Sequence, residues 1–362
     1  MRPTLSLFAE TGGKNSIIVS ALADRDLAVR DIVRSSFGYA GQKCSACSLL
    51  ILEEEVYHDE SFCRQLFDAA SSLITGSVWN LDTELGPLIR PPSPHLLRAL
   101  TELAEGESWL VKPEPHSENP HLWTCGITYG VQPQSKRHTT EFFGPVLSVL
   151  SAKTVDEAIT IANSTPYGLT AGIHSLDPRE QMRWMQSIRA GNCYINRTIT
   201  GAIVGRQPFG GCKASSFGIG MKAGGPNYLL QLADQTKLQD MDTKKVAATH
   251  ALVEEARHIL TDPQKLQEYI QALHSYITWN SDYFSKNHEL ASLYGQDNTL
   301  TFVPKDAVVV LFQDTDCLLD CLLVLSCCVI CDCKALFGMQ PQKLHTLKHL
   351  VDAVDFDTAC QT

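Results

Sequence analysis

The chain has 362 residues, of which 44% are hydrophobic and 19% charged, with a formal net charge of -10 at pH 7. That length buries a sizeable core and points to two domains, or one large domain with an appendage, and the balance excludes a disordered or fibrous chain. The negative charge, without any Lys/Arg cluster, argues against a nucleic-acid partner, because phosphate binding needs clustered cations. The opening MRPTLSLFAETGG lacks the apolar run of a signal peptide. The longest apolar stretch, Cys321 to Cys331, falls short of the ~20 residues that span a bilayer. A cytoplasmic protein with no membrane span is therefore expected.

From the N-terminus, short apolar runs alternate with amphipathic stretches, the rhythm of an α/β domain over residues 1–235. Ser16 to Val19 reads as a strand, and Asp24 as the cap of a helix whose inward face is Val29, Ile32, Val33 and Phe37. A loop from Gly38 to Ser45 leads into a second strand, Leu49 to Leu52, and then a helix over Glu60 to Leu73. Val146 to Leu150 reads as a buried strand, and Thr154 with Glu157 as a capping box for a helix ending near Asn163. Leu169 to His174 resumes the strands and Pro178 to Ile188 the helices, whereas the Gly-rich stretch Pro208 to Pro226 reads as loop.

Past residue 235 the character changes to a polar helical connector, 236–298, and a partial α/β unit, 299–362, in which a strand at Val308 to Phe312 feeds a Cys-rich helix. A single β-α pair cannot make a domain, so this tail is expected to be cut short. Thirteen scattered cysteines without a signal peptide favour reduced thiols over a disulfide framework. Cys317, Cys321, Cys327, Cys328, Cys331 and Cys333 crowd one segment among Leu and Val, which favours a core helix over a metal site.

Four segments carry chemistry-bearing residues, none persuasive singly. Cys44 lies in Gly-Gln-Lys-Cys-Ser-Ala between a predicted helix and strand, where a turn exposes a thiol and Lys43 would favour its thiolate. Alone, it is more often a packing residue. Glu10 lies in Phe-Ala-Glu-Thr-Gly-Gly, where apolar neighbours raise a carboxyl's pKa toward that of a base, with a solvated turn as the alternative. Glu141-Phe142-Phe143-Gly144-Pro145 sets a carboxylate beside aromatics, suited to ribose hydroxyls and a nicotinamide face. Pro208-Phe209-Gly210-Gly211 is the fourth.

In this order and at these separations the segments resemble the aldehyde dehydrogenase superfamily, over about residues 5 to 235. Phe8 to Asn15, Gly41 to Ala46, Asn196 to Thr198, Gly201 to Gly205 and Lys222 to Pro226 resemble its 1-pyrroline-5-carboxylate dehydrogenase branch, and residues 236 to 340 are more loosely similar to the C-terminal region of the bifunctional proline utilization A family. The resemblance implies a three-layer α/β catalytic domain that oxidises L-glutamate γ-semialdehyde with NAD. It implies Cys44 as nucleophile and Glu10 as base. Thr11, Gly12, Glu141 and Phe143 would face the cofactor, while Ser45, Gly201, Ala202 and Phe209 would hold the substrate.

The pattern also has a departure. Family members carry a nucleotide-binding domain before the Glu-x-Gly-Gly turn, and only nine residues stand there here. NAD binding by this chain unaided is thus not expected, and an upstream polypeptide supplying that domain is one expected partner. Gly218 to Gly224 is not a dinucleotide fingerprint, for no strand leads into it. A working piece of a divided dehydrogenase, an inactive remnant and a non-catalytic assembly module remain the three readings.

Overall fold

The structure, a computed structural model, describes residues 6–218, 220–233, 251–305, 307–338, 342–343 and 345–347. The chain divides into two compact units, Met1–Ala233 and Asp234–Thr362.

The first unit is built on a seven-stranded sheet in the order β4-β5-β6-β3-β2-β8-β9, comprising Ser108–Val111, Gly126–Tyr129, Val146–Ala152, Cys47–Glu53, Asn15–Val19, Thr170–His174 and Asn192–Ile195. Every pairing is parallel except β4 with β5, at the edge. Side chains alternate across a strand, so a sheet covered on both faces needs apolar residues at every position. On β2, Ile17 and Val19 enter one core and Ile18 the other; on β3, Leu50 and Leu52 part from Leu49 and Ile51 in the same way. Helices α1 (Arg25–Phe37) and α3 (Glu60–Ser71) cover the first face, and α6 (Val155–Asn163) with Trp184 of α7 (Pro178–Ser187) the second. The result is the three-layer α/β arrangement expected from the sequence.

Local signals behave as their chemistry requires. Asp24 Oδ1 accepts from the Leu27 N–H at 3.0 Å and opens α1, whose Val29, Ile32, Val33 and Phe37 are all buried. Thr154 accepts from the Glu157 N–H at 3.2 Å, but the returning Glu157 carboxylate takes the N–H of Lys153 rather than that of the cap itself, at 2.7 Å. The stretch Pro208 to Pro226, expected to be loop, contains two short strands. Cys212–Lys213 pairs with Tyr167–Gly168, and Ser216–Phe217 pairs with Ala9–Glu10, the strand β1. Composition hid them because two-residue strands carry no alternation to read.

In the second unit, helices Ala251–Ile259 and Pro263–Trp279 and the helix α10, Leu318–Ile330, share one apolar core with the parallel strands β14 (Val308–Leu311) and β15 (Ala335–Gly338). The expected β-α pair is therefore a β-α-β crossover, because Ala335 to Gly338 returns beside Val308 to Leu311. The expected connector helices and the Cys-rich helix pack into the same core, with Cys321 and Cys328 buried in it. Residues 236–250 of the connector and 348–362 of the tail lie outside the described residues. Among the described residues no helix is long and apolar enough to cross a membrane.

Candidate active site

The segment from Glu10 to Asn15 joins β1 to β2 and bonds to the Gly211 to Ser215 stretch, to Glu141 and to the Cys44 turn. Glu10 is set by its pairing with Ser216, and one carboxylate oxygen accepts the Gly211 N–H at 3.1 Å. Loss of solvent raises its pKa above the ordinary carboxyl value, against the lowering influence of the Gly211 N–H and the Lys222 charge. Phe209 lines the same groove as Glu10, held in an antiparallel bridge with Ala223 at 3.0 and 2.9 Å. Thr11 is tied to the strand region beyond Phe209, its hydroxyl donating to the Ala214 carbonyl at 2.5 Å and its N–H to the Ser215 carbonyl at 3.0 Å.

Gly12 and Gly13 bring the chain against Glu141. The Gly13 N–H donates to Glu141 Oε1 at 3.1 Å, and a Cβ on Gly12, at φ +149°, would lie 2.5 Å from Glu141 Oε2. Only glycine admits the carboxylate there. Burial raises the Glu141 pKa, opposed by the Gly13 N–H and by Lys14. Phe143 is exposed and adopts φ +54°, a left-handed conformation that costs a non-glycine residue about 1 kcal/mol or more. Gln42 holds it so, donating to the Phe143 carbonyl at 3.1 Å while accepting the Ile89 N–H at 2.9 Å. A cavity between these loops is lined by Gly13, Lys43, Ala46, Glu141 and Phe143, so the residues flanking Cys44 face the Glu141 segment.

Cys44 is exposed at the turn before β3. Burial of its sulfur is the first cause of a raised pKa, and the charges of Glu141 and Glu10 add to it; the backbone N–H groups of Ser45 and Cys44 act in the opposite direction. Lys43, expected to favour the thiolate, does not: its ammonium sits 4.0 Å from the centre of the Tyr39 ring. The buried lysine of the site is Lys14, whose pKa is pushed down to about 7 by burial, and which donates to the Ser48 carbonyl at 3.3 Å beside the Phe142 ring.

The remaining sequence candidates divide. Ser45 is buried, its carbonyl accepting from the Thr170 hydroxyl at 3.2 Å. Gly201 is exposed and Ala202 half-buried, in a loop anchored upstream where the Ile199 N–H donates to Ser35 Oγ at 3.2 Å; neither Gly201 nor Ala202 N–H has an acceptor among the described residues. Glu10 and Phe209 are thus in one groove, Glu141 and Phe143 in one cavity beside the Cys44 turn, and Gly201 and Ala202 on an open loop. Sequence reading gave no role to Asn15, Gln42 and Lys222. The one available signal is a polar Asn15-Ser16 pair opening the apolar run Ile17 to Val19.

Residues 3–237 match the model of the aldehyde dehydrogenase family. The 1-pyrroline-5-carboxylate dehydrogenase of Geobacillus sp. (strain WCH70) is 36% identical over 225 residues, 62% of this chain and 43% of that protein. The 1-pyrroline-5-carboxylate dehydrogenase 2 of Bacillus subtilis (strain 168) is 35% identical over 224 residues, again 62% and 43%. Among solved structures, proline utilization A from Corynebacterium freiburgense superposes with a TM-score of 0.84 at 37% identity, covering 96% of this chain and 37% of its own. A 1-pyrroline-5-carboxylate dehydrogenase from Thermus with bound NAD gives 0.54 at 35% identity, covering 62% and 42%. The chain spans less than half the length of each of these relatives.

Proposed function

Because the chain belongs to the aldehyde dehydrogenase family, we propose that it carries the thiol chemistry of NAD-dependent oxidation of L-glutamate γ-semialdehyde to glutamate, a step of proline breakdown. The observation that supports this most is the six-residue segment from Glu10 to Asn15. It sets a base, reaches Glu141 through Gly13 and reaches the Cys44 turn through Asn15.

Cys44 adds as thiolate to the aldehyde carbon, forming a C–S bond and leaving an alkoxide. The Cys44 backbone N–H is suited to donate to that oxyanion. NAD, when bound, supplies the two-electron acceptor that turns this adduct into the thioester. Glu10 then takes a proton from water, the hydroxide adds to the thioester carbon, and the C–S bond breaks to release the carboxylate and the thiol. The raised pKa of Glu10 suits it to that transfer near neutrality. The N–H groups of Gly201 and Ala202, without an acceptor among the described residues, and Ser45 are suited to the substrate carboxylate. Phe209 lies beside Glu10 to meet the aliphatic part of the substrate.

Glu141, with one oxygen fixed by Gly13, and the exposed ring of Phe143 fit the nicotinamide-ribose end of NAD, with Thr11 and Gly12 alongside. The adenosine diphosphate end has no such counterpart among the described residues: contrary to expectation a strand, Ser216–Phe217, does lead into Gly218, but its glycines are spread from Gly218 to Gly225 before the 3-10 turn Tyr228–Leu232 rather than gathered in one tight turn that opens an α-helix. A nucleotide-binding portion from a further stretch of polypeptide completes the cofactor site in this reading.

Acyl transfer separates the thiol chemistry from the cofactor. With p-nitrophenyl acetate, the purified chain is expected to acylate at Cys44 and then turn over, Cys44→Ala to do neither, and Glu10→Gln to acylate but release acetate at least about a hundredfold more slowly. Acylation elsewhere, or full turnover by Glu10→Gln, would overturn the assignment. NAD reduction with glutamate semialdehyde, on addition of the nucleotide-binding portion of a relative, tests the full reaction.

A further inference from the structure

The turn that carries Cys44 is held by its carbonyl oxygens. Asn15 Nδ2 donates to the Cys44 carbonyl at 2.7 Å and to the Ala46 carbonyl at 2.9 Å, and Thr170 Oγ1 donates to the Ser45 carbonyl between them at 3.2 Å. Asn15 Oδ1 in turn accepts the Thr170 N–H at 3.0 Å, so both ends of the amide are engaged. Asn15 and Thr170 are 2% and 3% exposed, where an unmade polar contact costs on the order of 1–3 kcal/mol. The brace is also built around Gly13, since a Cβ at that position would lie 2.6 Å from the Cys44 oxygen and 2.7 Å from Asn15 Oδ1.

A trans peptide is planar, with its N–H directed opposite to its C=O. Holding the Cys44 carbonyl against Asn15 therefore turns the Ser45 N–H to the other side of the chain, from which its dipole favours the Cys44 thiolate. The turn bond from the Ala46 N–H to the Lys43 carbonyl, 3.0 Å, does the same for the preceding peptide and leaves the Cys44 N–H on the sulfur side. We propose that Asn15 is a positioning residue for the nucleophile: its buried amide fixes the direction of the Cys44–Ser45 peptide and so aims the Ser45 N–H at the thiolate. The inference rests on the reading of Cys44 as the nucleophile, and it gives Asn15 a part in reactivity distinct from its part in holding β2 to β8.

The charged groups acting on the sulfur are Glu10 and Glu141, both of which oppose the thiolate. Lys43 is turned onto Tyr39, and Lys14 onto the Ser48 carbonyl. The backbone N–H groups are thus what favours the anion, and loss of one has a pH signature.

The test is the pH-rate profile of iodoacetamide alkylation at Cys44 in the full chain, read by peptide mass spectrometry. Asn15→Ala is expected to move the titration to higher pH and slow alkylation about tenfold at neutral pH, with the limiting rate at high pH within about twofold of the unsubstituted chain. Val149→Ala, a cavity in the core away from the turn, loses stability without moving the titration. Asn15→Ser retains one donor and shifts the profile less, in the same direction, and it serves should the Ala variant fail to fold. An unmoved profile in the Asn15 variants, or an equal shift in Val149→Ala, overturns the inference. Absence of any titrating reaction at Cys44 in the unsubstituted chain removes the nucleophile reading, and this inference with it.

Discussion

Cysteine occurs on an exposed turn in the first unit and along the core face of a helix in the second, and the same side chain meets different backbones there. Burial is the leading cause of a raised thiol pKa at Cys44, Cys321 and Cys328 alike. At Cys44 two N–H groups of the turn oppose that rise. At Cys321 and Cys328, within α10, the backbone N–H groups are spent on the helix; the Lys343 charge opposes the rise at Cys321, and the neighbours that add to it are acids and other cysteines. Desolvation leads the rise in both regions, so what sets the Cys44 thiol apart is its exposure together with the donors its turn leaves free.

The largest expected effect tests that contrast directly. Native iodoacetamide labelling at neutral pH should modify Cys44 at least about a hundredfold faster than Cys321 and Cys328, and denaturant should erase the difference. Mass spectrometry of the digested chain measures all three together. Comparable native rates would mean that the turn confers nothing the helix lacks.

A second difference lies in buried charge. In the first unit His174 on β8 is 1% exposed, with its Nε2 3.8 Å from Asp31 Oδ2 and neither ring nitrogen hydrogen-bonded. Burial pushes its pKa down from 6.5 to about 4, the nearby Asp31 only partly opposing this. The unfolded chain therefore takes up a proton first as pH falls, so stability is unaffected above about pH 6.5 and declines from there to about pH 4, by about 3 kcal/mol in all. The apolar core of the second unit contains no such group among the described residues. Hydrogen exchange followed separately in β2 and β8 peptides and in α10 peptides should show the acid loss in the former only, and His174→Gln should flatten it. Parallel acid curves for His174→Gln and the unsubstituted chain would refute the attribution.

The contrast between the units also explains what could be read in advance. The strands β2, β3, β6 and β8 are mostly apolar on both faces because both sheet faces are covered, and α1 declares itself through Asp24 and the spacing of Val29, Ile32, Val33 and Phe37. Strand β15 was invisible because Ala335 to Gly338 is short and follows the Cys-rich run without a turn signal, so the crossover was read as an isolated β-α pair. Glu10, Cys44, Glu141 and Phe209 stand in an ordered set of motifs, and the roles proposed for them come from that order. Lys43 was misjudged because sequence adjacency says nothing of where a long side chain turns, and a Tyr39 ring was there to take it. The role proposed for Asn15 passes through peptide planes, which sequence spacing does not display.

The smallest expected effect asks how much of the Cys44 environment is charge and how much is backbone. Glu141 raises the thiol pKa, and it does so across a partly exposed site where the interaction is screened. Glu141→Gln keeps a carbonyl oxygen for the Gly13 N–H while removing the charge, so Cys44 should ionise more readily and alkylate roughly two- to fivefold faster at neutral pH and low salt. Added salt should shrink the gain, as it would for any screened charge, whereas the effect of Asn15→Ala, being one of hydrogen-bond direction, should persist. The two substitutions thus move the same titration in opposite directions by separable physics. Equal salt sensitivity in both variants would show that the brace and the carboxylate act through a single electrostatic cause, and the distinction between turn and helix would have to be redrawn on charge alone.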